Sequence, residues 1–94
     1  MKLLYTERAK TDLSLAFEWY EEQRIGLGLE FLDCVESSIK NVLQTPDLYA
    51  KQYADFRRVL TSRFPFSIFY TIEKNNVIII HAIFDNRQDP NKLP

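Results

Sequence analysis

Apolar residues recur along this chain with two different periods, and the change of period divides it into a helical half and a stranded half. Leu3 to Thr6 reads as a short opening strand. Thr6 then offers an N-cap hydroxyl, and Glu7 puts a negative charge in the first turn, where the helix dipole favours it. Ala9, Leu13, Ala16, Phe17 and Tyr20 follow at helical spacing, so a helix is expected to about Arg24. Glu18, Glu21 and Glu22 form its solvated side. Ile25-Gly26-Leu27-Gly28 uses both glycines of the chain, and Gly26 suits a left-handed cap at the end of that helix. A second helix carries Phe31, Leu32, Val35, Ile39, Val42 and Leu43 on one stripe, with Glu36 and Lys40 paired on its polar side, and stops before Pro46. So short a connection makes the two helices an antiparallel hairpin.

Pro46 to Ala54 reads as a loop whose Tyr49 and Tyr53 can pack on a sheet. Three strands follow near 56–63, 65–72 and 77–84, the last two joined by a turn at Asn75-Asn76. Alternation puts Phe66, Ile68, Tyr70, Ile72, Ile79, His81 and Ile83 on one face. Ser67, Phe69, Thr71, Glu73, Ile78, Ile80, Ala82 and Phe84 fall on the other. The first face is greasier and is assigned to the helical hairpin. No helix is left for the second, and an uncovered apolar patch implies a partner. The polar tail from Asp85 to Pro94 is expected on the surface. These elements predict an α+β fold of order β-α-α-β-β-β: a mainly antiparallel sheet packed on a helical hairpin, as one domain over residues 1–94.

Composition narrows the function classes. With 46% hydrophobic and 27% charged residues the chain is globular rather than disordered. Net charge is −1, split as −3 over residues 1–52 and +2 over 53–94. That falls far short of a basic nucleic-acid stripe. Cys34 is the only cysteine, so no disulfide framework is expected and a reducing cytoplasm fits. No stretch approaches a membrane span or a signal-peptide core.

Arg57, Arg58, Arg63 and Arg87 are the site candidates, because guanidinium groups at strand ends can grip phosphate or carboxylate. Arg57 and Arg58 must diverge to opposite faces. His81, the only histidine, lies in an isoleucine run on the expected core face and reads as structural rather than as a general base. Asp85, Asp89 and Glu73 read as caps, turns and arginine partners. Ser62 and Ser67 have no local base or elbow motif. Trp19 and Tyr20 read as helix packing, and Cys34 as a small hydrophobe. No metal or other cofactor is implied. The residues alone favour a binding protein over an enzyme.

The chain resembles the RelE/ParE superfamily, the toxin halves of bacterial type II toxin–antitoxin systems. The resemblance rests on Ala9 with Asp12-Leu13, Trp19-Tyr20, Gly26-Leu27-Gly28 before Phe31-Leu32, Pro46, Arg57-Arg58, Arg63-Phe64-Pro65-Phe66, Tyr70, and Arg87 with Asp89-Pro90. It covers the whole chain. The RelE-like branch cleaves mRNA on the ribosome with basic residues along the sheet and a C-terminal arginine and tyrosine. Carried onto this chain, that pattern keeps Arg58 and Arg87 but meets Leu60 and Ser67 where two further basic residues are needed, and no tyrosine follows Tyr70. Loss of one transition-state donor costs about 10²–10³ in rate, so three losses leave little activity.

The Arg-Phe-Pro-Phe…Tyr signature is similar to the ParE-like branch, the plasmid-stabilisation toxins that bind and inhibit DNA gyrase. Phe84 departs from that branch, many of whose sequences carry histidine there. The resemblance implies a cytoplasmic toxin, no cofactor, and a cognate antitoxin partner; the uncovered sheet face and the strand-end arginines give Arg58, Phe69, Ile80, Phe84 and Arg87 as the expected partner contacts. Two alternatives stay open. One is a ribosome-dependent mRNA endonuclease with Arg58 and Arg87 as catalytic remnants; the other is a non-toxic binding descendant. Homodimerisation through apolar surfaces also stays open.

Overall fold

The structure is a computed structural model that describes residues Met1–Pro94. The elements run β1 (Lys2–Tyr5), α1 (Glu7–Gln23), α2 (Leu27–Gln44), β2 (Lys51–Tyr53), β3 (Phe56–Leu60), β4 (Phe66–Glu73), β5 (Val77–Asp85) and a 3-10 turn at Pro90–Lys92. One five-stranded sheet has the order β1-β5-β4-β3-β2. β1 pairs parallel to β5, and the other pairings are antiparallel. The α+β architecture is as the hydrophobic periods predict. The added element is β2, inside the expected loop 46–54, where Lys51 pairs with Arg57 and Tyr53 with Phe56.

Thr6 joins the two layers. Its hydroxyl accepts from the Ala9 N–H at 3.1 Å, capping α1, and donates to the His81 carbonyl on β5 at 3.1 Å. At the other end of the hairpin, Gly26 has φ +91°, a left-handed conformation, and serves as the N-cap of α2 rather than ending α1. Arg24, in an extended conformation, is the C-cap of α1. The first free N–H groups of α2 need acceptors. Glu21 supplies one: its Oε1 accepts from Gly26 at 2.9 Å and Gly28 at 2.8 Å. The expected Glu36–Lys40 pair is not among the ion pairs formed.

The main core lies between the hairpin and one sheet face. α2 contributes Phe31, Val35, Ile39 and Val42; the sheet contributes Val59, Phe66, Ile68, Tyr70, Ile78, Ile80 and Ile83. Tyr20, Phe31, Phe64 and Phe66 form an aromatic knot, with ring centroids 4.9 Å apart for Tyr20–Phe64 and for Phe31–Phe66. The buried Tyr70 hydroxyl donates to the Pro46 carbonyl at 2.6 Å, and burial pushes its pKa up to about 12.

Two expectations about the sheet are overturned. Phe69 pairs with Ala82 and Tyr70 with Ile80, so His81 is an extra residue, a β-bulge. A bulge reverses the facing on one side of it. Ile83, Ala82 and Phe84 face as expected, but Ile78 and Ile80 turn into the main core. Ile79, paired with Thr71, and His81, with its Nε2 2.8 Å from Thr71 Oγ1, lie on the opposite face. That face is also not bare. Phe69, Ala82 and Phe84 form a second buried cluster beneath Phe56 and Leu93, and Phe69 and Phe84 are only 3% and 6% exposed. The tail folds back as its cover, with the Lys92 carbonyl accepting from Arg8 and a main-chain oxygen of Pro94 from the Tyr53 hydroxyl. Leu93 makes this polar-looking segment a lid.

Candidate functional site

The arginines at the strand ends meet different fates. Arg57 and Arg58 diverge, as period-two geometry requires. Arg57 points to the helical side, donating to the Tyr49 carbonyl at 2.7 Å and pairing with Asp47 at 3.7 Å. Arg63 and Arg24 both grip Glu30, at 2.7 Å and 2.9 Å, and these bonds hold its carboxyl below the usual range. Arg87 forms a fork on Asp85, Nε to Oδ1 at 2.9 Å and Nη2 to Oδ2 at 2.8 Å. Those bonds lower the Asp85 pKa and raise that of Arg87. The Arg87 guanidinium also lies over the Trp19 ring, 5.9 Å from its centroid.

Arg58 is held differently. Its Nε donates to Ser67 Oγ at 2.7 Å and its Nη2 to Asn86 Oδ1 at 3.3 Å, while Ser67 Oγ donates to that same Asn86 oxygen at 2.6 Å. Both acceptors are neutral. Ser67, fully buried, is fixed by β4, and Asn86, the residue just past β5, donates its backbone N–H to the Pro65 carbonyl at 2.8 Å.

Arg58 and Arg87 lie in adjoining clefts. One, of about 400 Å³, runs between α1 and the end of β5 past Asp12, Leu15, Trp19 and Arg87. The other, of about 270 Å³, runs between the β2–β3 hairpin and the tail past Tyr53, Arg58 and Leu93. Phe84 and Gln88 line both. Of the expected partner contacts, Arg58 and Arg87 reach these clefts. Phe69 and Phe84 form cleft floor under the tail, and Ile80 is withdrawn into the main core, because the bulge at His81 reverses its facing.

Asp12 escapes the candidate list drawn from the strands. β1 ends opposite Ile80, leaving the next part of β5 without a strand beside it. Asp12 takes over: its Oδ2 accepts the Ile83 N–H at 3.1 Å and pairs with Arg8 at 3.5 Å. Burial still raises its pKa. Its signal in the sequence is a lone carboxylate among Ala9, Leu13 and Ala16 on the apolar side of α1.

Burial lowers the His81 pKa, with Glu73 acting weakly the other way, so its ring is neutral at neutral pH, packed on Phe56 at 5.0 Å. Ser62 has Cys34 Sγ at 4.0 Å as its neighbour. No group of three His, Cys, Asp or Glu side chains is placed to hold a metal ion.

A family model described as the ParE toxin of the type II toxin–antitoxin system parDE matches residues 3–90. The chain belongs to the ParE toxin family. Among solved structures, its fold is similar to the chromosomal ParDE toxin–antitoxin system of P. aeruginosa, at 22% identity and TM-score 0.77, over 90% of this chain and 95% of that one. It is also similar to a chain of the intact E. coli RelBE toxin–antitoxin complex, at 13% identity and TM-score 0.67, over 93% and 98% of the two chains. The isolated E. coli RelE toxin matches at 13% identity and TM-score 0.67, over 96% and 88%. No curated protein sequence is similar enough to count as a match. In this ParE-family chain, the two positions where a RelE-like pattern needs basic residues hold an exposed leucine, Leu60, and a buried hydroxyl, Ser67, that orients Arg58.

Proposed function

We propose that this protein is the toxin half of a type II toxin–antitoxin pair. It acts in the cytoplasm by binding DNA gyrase, not by cutting RNA, and a cognate antitoxin neutralises it. The observation carrying this reading is the state of the cations. A nuclease of the RelE kind needs several free cationic groups converging on one phosphate. Here Arg87 is already neutralised by Asp85, His81 is neutral, and Leu60 and Ser67 supply no charge. Arg58 is left alone, which suits recognition rather than phosphoryl chemistry.

The antitoxin covers the adjoining clefts. Leu15 and Trp19, 62% and 49% exposed, offer apolar surface on the α1 side. Arg58 stands over the Phe69 and Phe84 floor on the sheet side, and Arg87 lies beside Trp19 and Phe84 in the first cleft. An amphipathic helix suits the first cleft, and the free edge of β1 can accept a strand.

Induced expression of the protein alone is expected to cause filamentation with DNA-damage signalling, and the purified protein is expected to inhibit gyrase supercoiling in vitro. Codon-specific cuts in translated mRNA, lost in Arg87→Ala, would instead establish the endonuclease reading. Normal growth with uninhibited gyrase would establish a non-toxic binding descendant.

A further inference from the structure

Five of the six arginines in this chain pair with carboxylates: Arg8 with Asp12, Arg24 and Arg63 with Glu30, Arg57 with Asp47, and Arg87 with Asp85. Arg58 is the exception. It is half-buried, and its only protein partners are the neutral oxygens of Ser67 and Asn86. A partly desolvated guanidinium with no counter-charge is electrostatically incomplete. Its orientation is nonetheless fixed. Nε is committed to Ser67, one Nη2 proton to Asn86, and the Ser67–Asn86 bond locks both acceptors in place. Nη1 has no protein acceptor. The guanidinium thus presents its open end to the cleft, preorganised for a fork on two oxygens.

We infer that Arg58 is a socket for a single carboxylate, carried by an acidic side chain of a peptide segment with apolar neighbours. The inference rests on the toxin–antitoxin reading for its natural partner, and it narrows that reading from two open arginines to one.

The surroundings select the ligand. Phe69, Phe84 and Leu93 give the cleft an apolar lining, which suits the side chains flanking an acidic residue. The neighbouring arginines and Lys51 are already paired, Arg87 with Asp85, Arg8 with Asp12 and Lys51 with Asp55, and Lys92 on the tail is not among the residues lining the cleft. Nucleic acid is bound through several phosphates, each needing a cation. One unpaired arginine over an aromatic floor matches one carboxylate. Gln52 and Gln88 at the rim add neutral donors and no further charge.

The test uses the whole protein and short peptides. The isotope-labelled protein is titrated with acetyl-Leu-Glu-Leu-amide, with acetyl-Leu-Gln-Leu-amide, and with a single-stranded tetranucleotide, each to about 10 mM, where even a millimolar site is filled. The readouts are the Arg58 Nε–H resonance and the backbone amides of Ser67 and Asn86. The Glu peptide is expected to move these signals and to bind about ten- to a hundredfold more tightly than the Gln peptide, the range for a hydrogen bond to a charged group. Arg58→Gln should abolish that preference, and Arg58→Lys should restore part of it. The wild-type comparison of the two peptides needs no variant, so it stands even if a variant misfolds. Equal binding of both peptides, or silence of the Arg58 resonance with the Glu peptide, overturns the socket. Tighter binding of the tetranucleotide makes this a phosphate site and overturns it too. A parallel assay with the product of the neighbouring reading frame separates the two claims. If that product fails to bind while the Glu preference holds, the toxin–antitoxin reading falls and the socket remains.

Discussion

His81 shows how one inserted residue redirects chemistry. In an unbroken β5 it would lie in the main core. The bulge instead sets it against Thr71 and Phe56, half-buried, and burial lowers its pKa from 6.5. An imidazole that is harder to protonate folded than unfolded makes stability rise with pH. Its contribution is complete above about pH 6.5, where both states are neutral, and is lost as pH falls from there through the folded value. His81→Gln keeps a polar group beside Thr71 but cannot titrate. Denaturant unfolding at about pH 7.5 and 5.5 should therefore show a smaller acid loss in this variant than in the wild type. Equal losses would remove His81 from the account.

The two glycines illustrate two different constraints. Gly26 sits at φ +91° with open space where a Cβ would be, while a Cβ on Gly28 would come 2.6 Å from Glu21 Cγ and 2.8 Å from the Phe17 ring. Gly28→Ala is expected to cost about 1–3 kcal/mol by overpacking. Gly26→Asn should cost less, because asparagine tolerates the left-handed region. Thermal melts that rank them the other way would contradict the close approach of the two helices.

At the scale of elements, the hairpin and strands form from local pattern, but the tail does not announce its role. Leu93 is one apolar residue in the polar run Asn86–Pro94, and it packs against the cluster of Phe69, Ala82 and Phe84. Leu93→Ser is expected to cost about 1 kcal/mol, as for a partly buried leucine, and to raise binding of a hydrophobic dye as the cluster opens. The main core, which draws nothing from the tail, should keep the same cooperativity of unfolding. Unchanged dye binding would show that the tail is not the cover. β2 is similarly quiet in sequence. Its three residues are all exposed, and it exists because β3 offers an edge, not because Lys51-Gln52-Tyr53 has a strand pattern.

At the scale of the molecule, net charge −1 conceals an internal pairing that leaves Arg58 as the one uncompensated arginine. The sequence shows which residues are charged and roughly where they cluster. It marked Arg58 and Arg87 together, since both stand at strand ends. It could not separate them, because the charge of Arg87 is compensated by a carboxylate two residues away while Arg58 finds only Ser67 and Asn86, nine and twenty-eight residues distant. No helix of the molecule is long and apolar enough to cross a membrane.

The sequence pattern determined the order of every element but β2, the hairpin, the Thr6 cap and the faces of β4, because each depends on neighbours within a few residues. The tertiary structure alone decided the facing of Ile78 to His81, the cover over Phe69 and Phe84, and the pairing of each arginine. A bulge is set by how two strands register against a third, and a lid or an ion pair by where distant segments meet, and neither leaves a local trace in the chain.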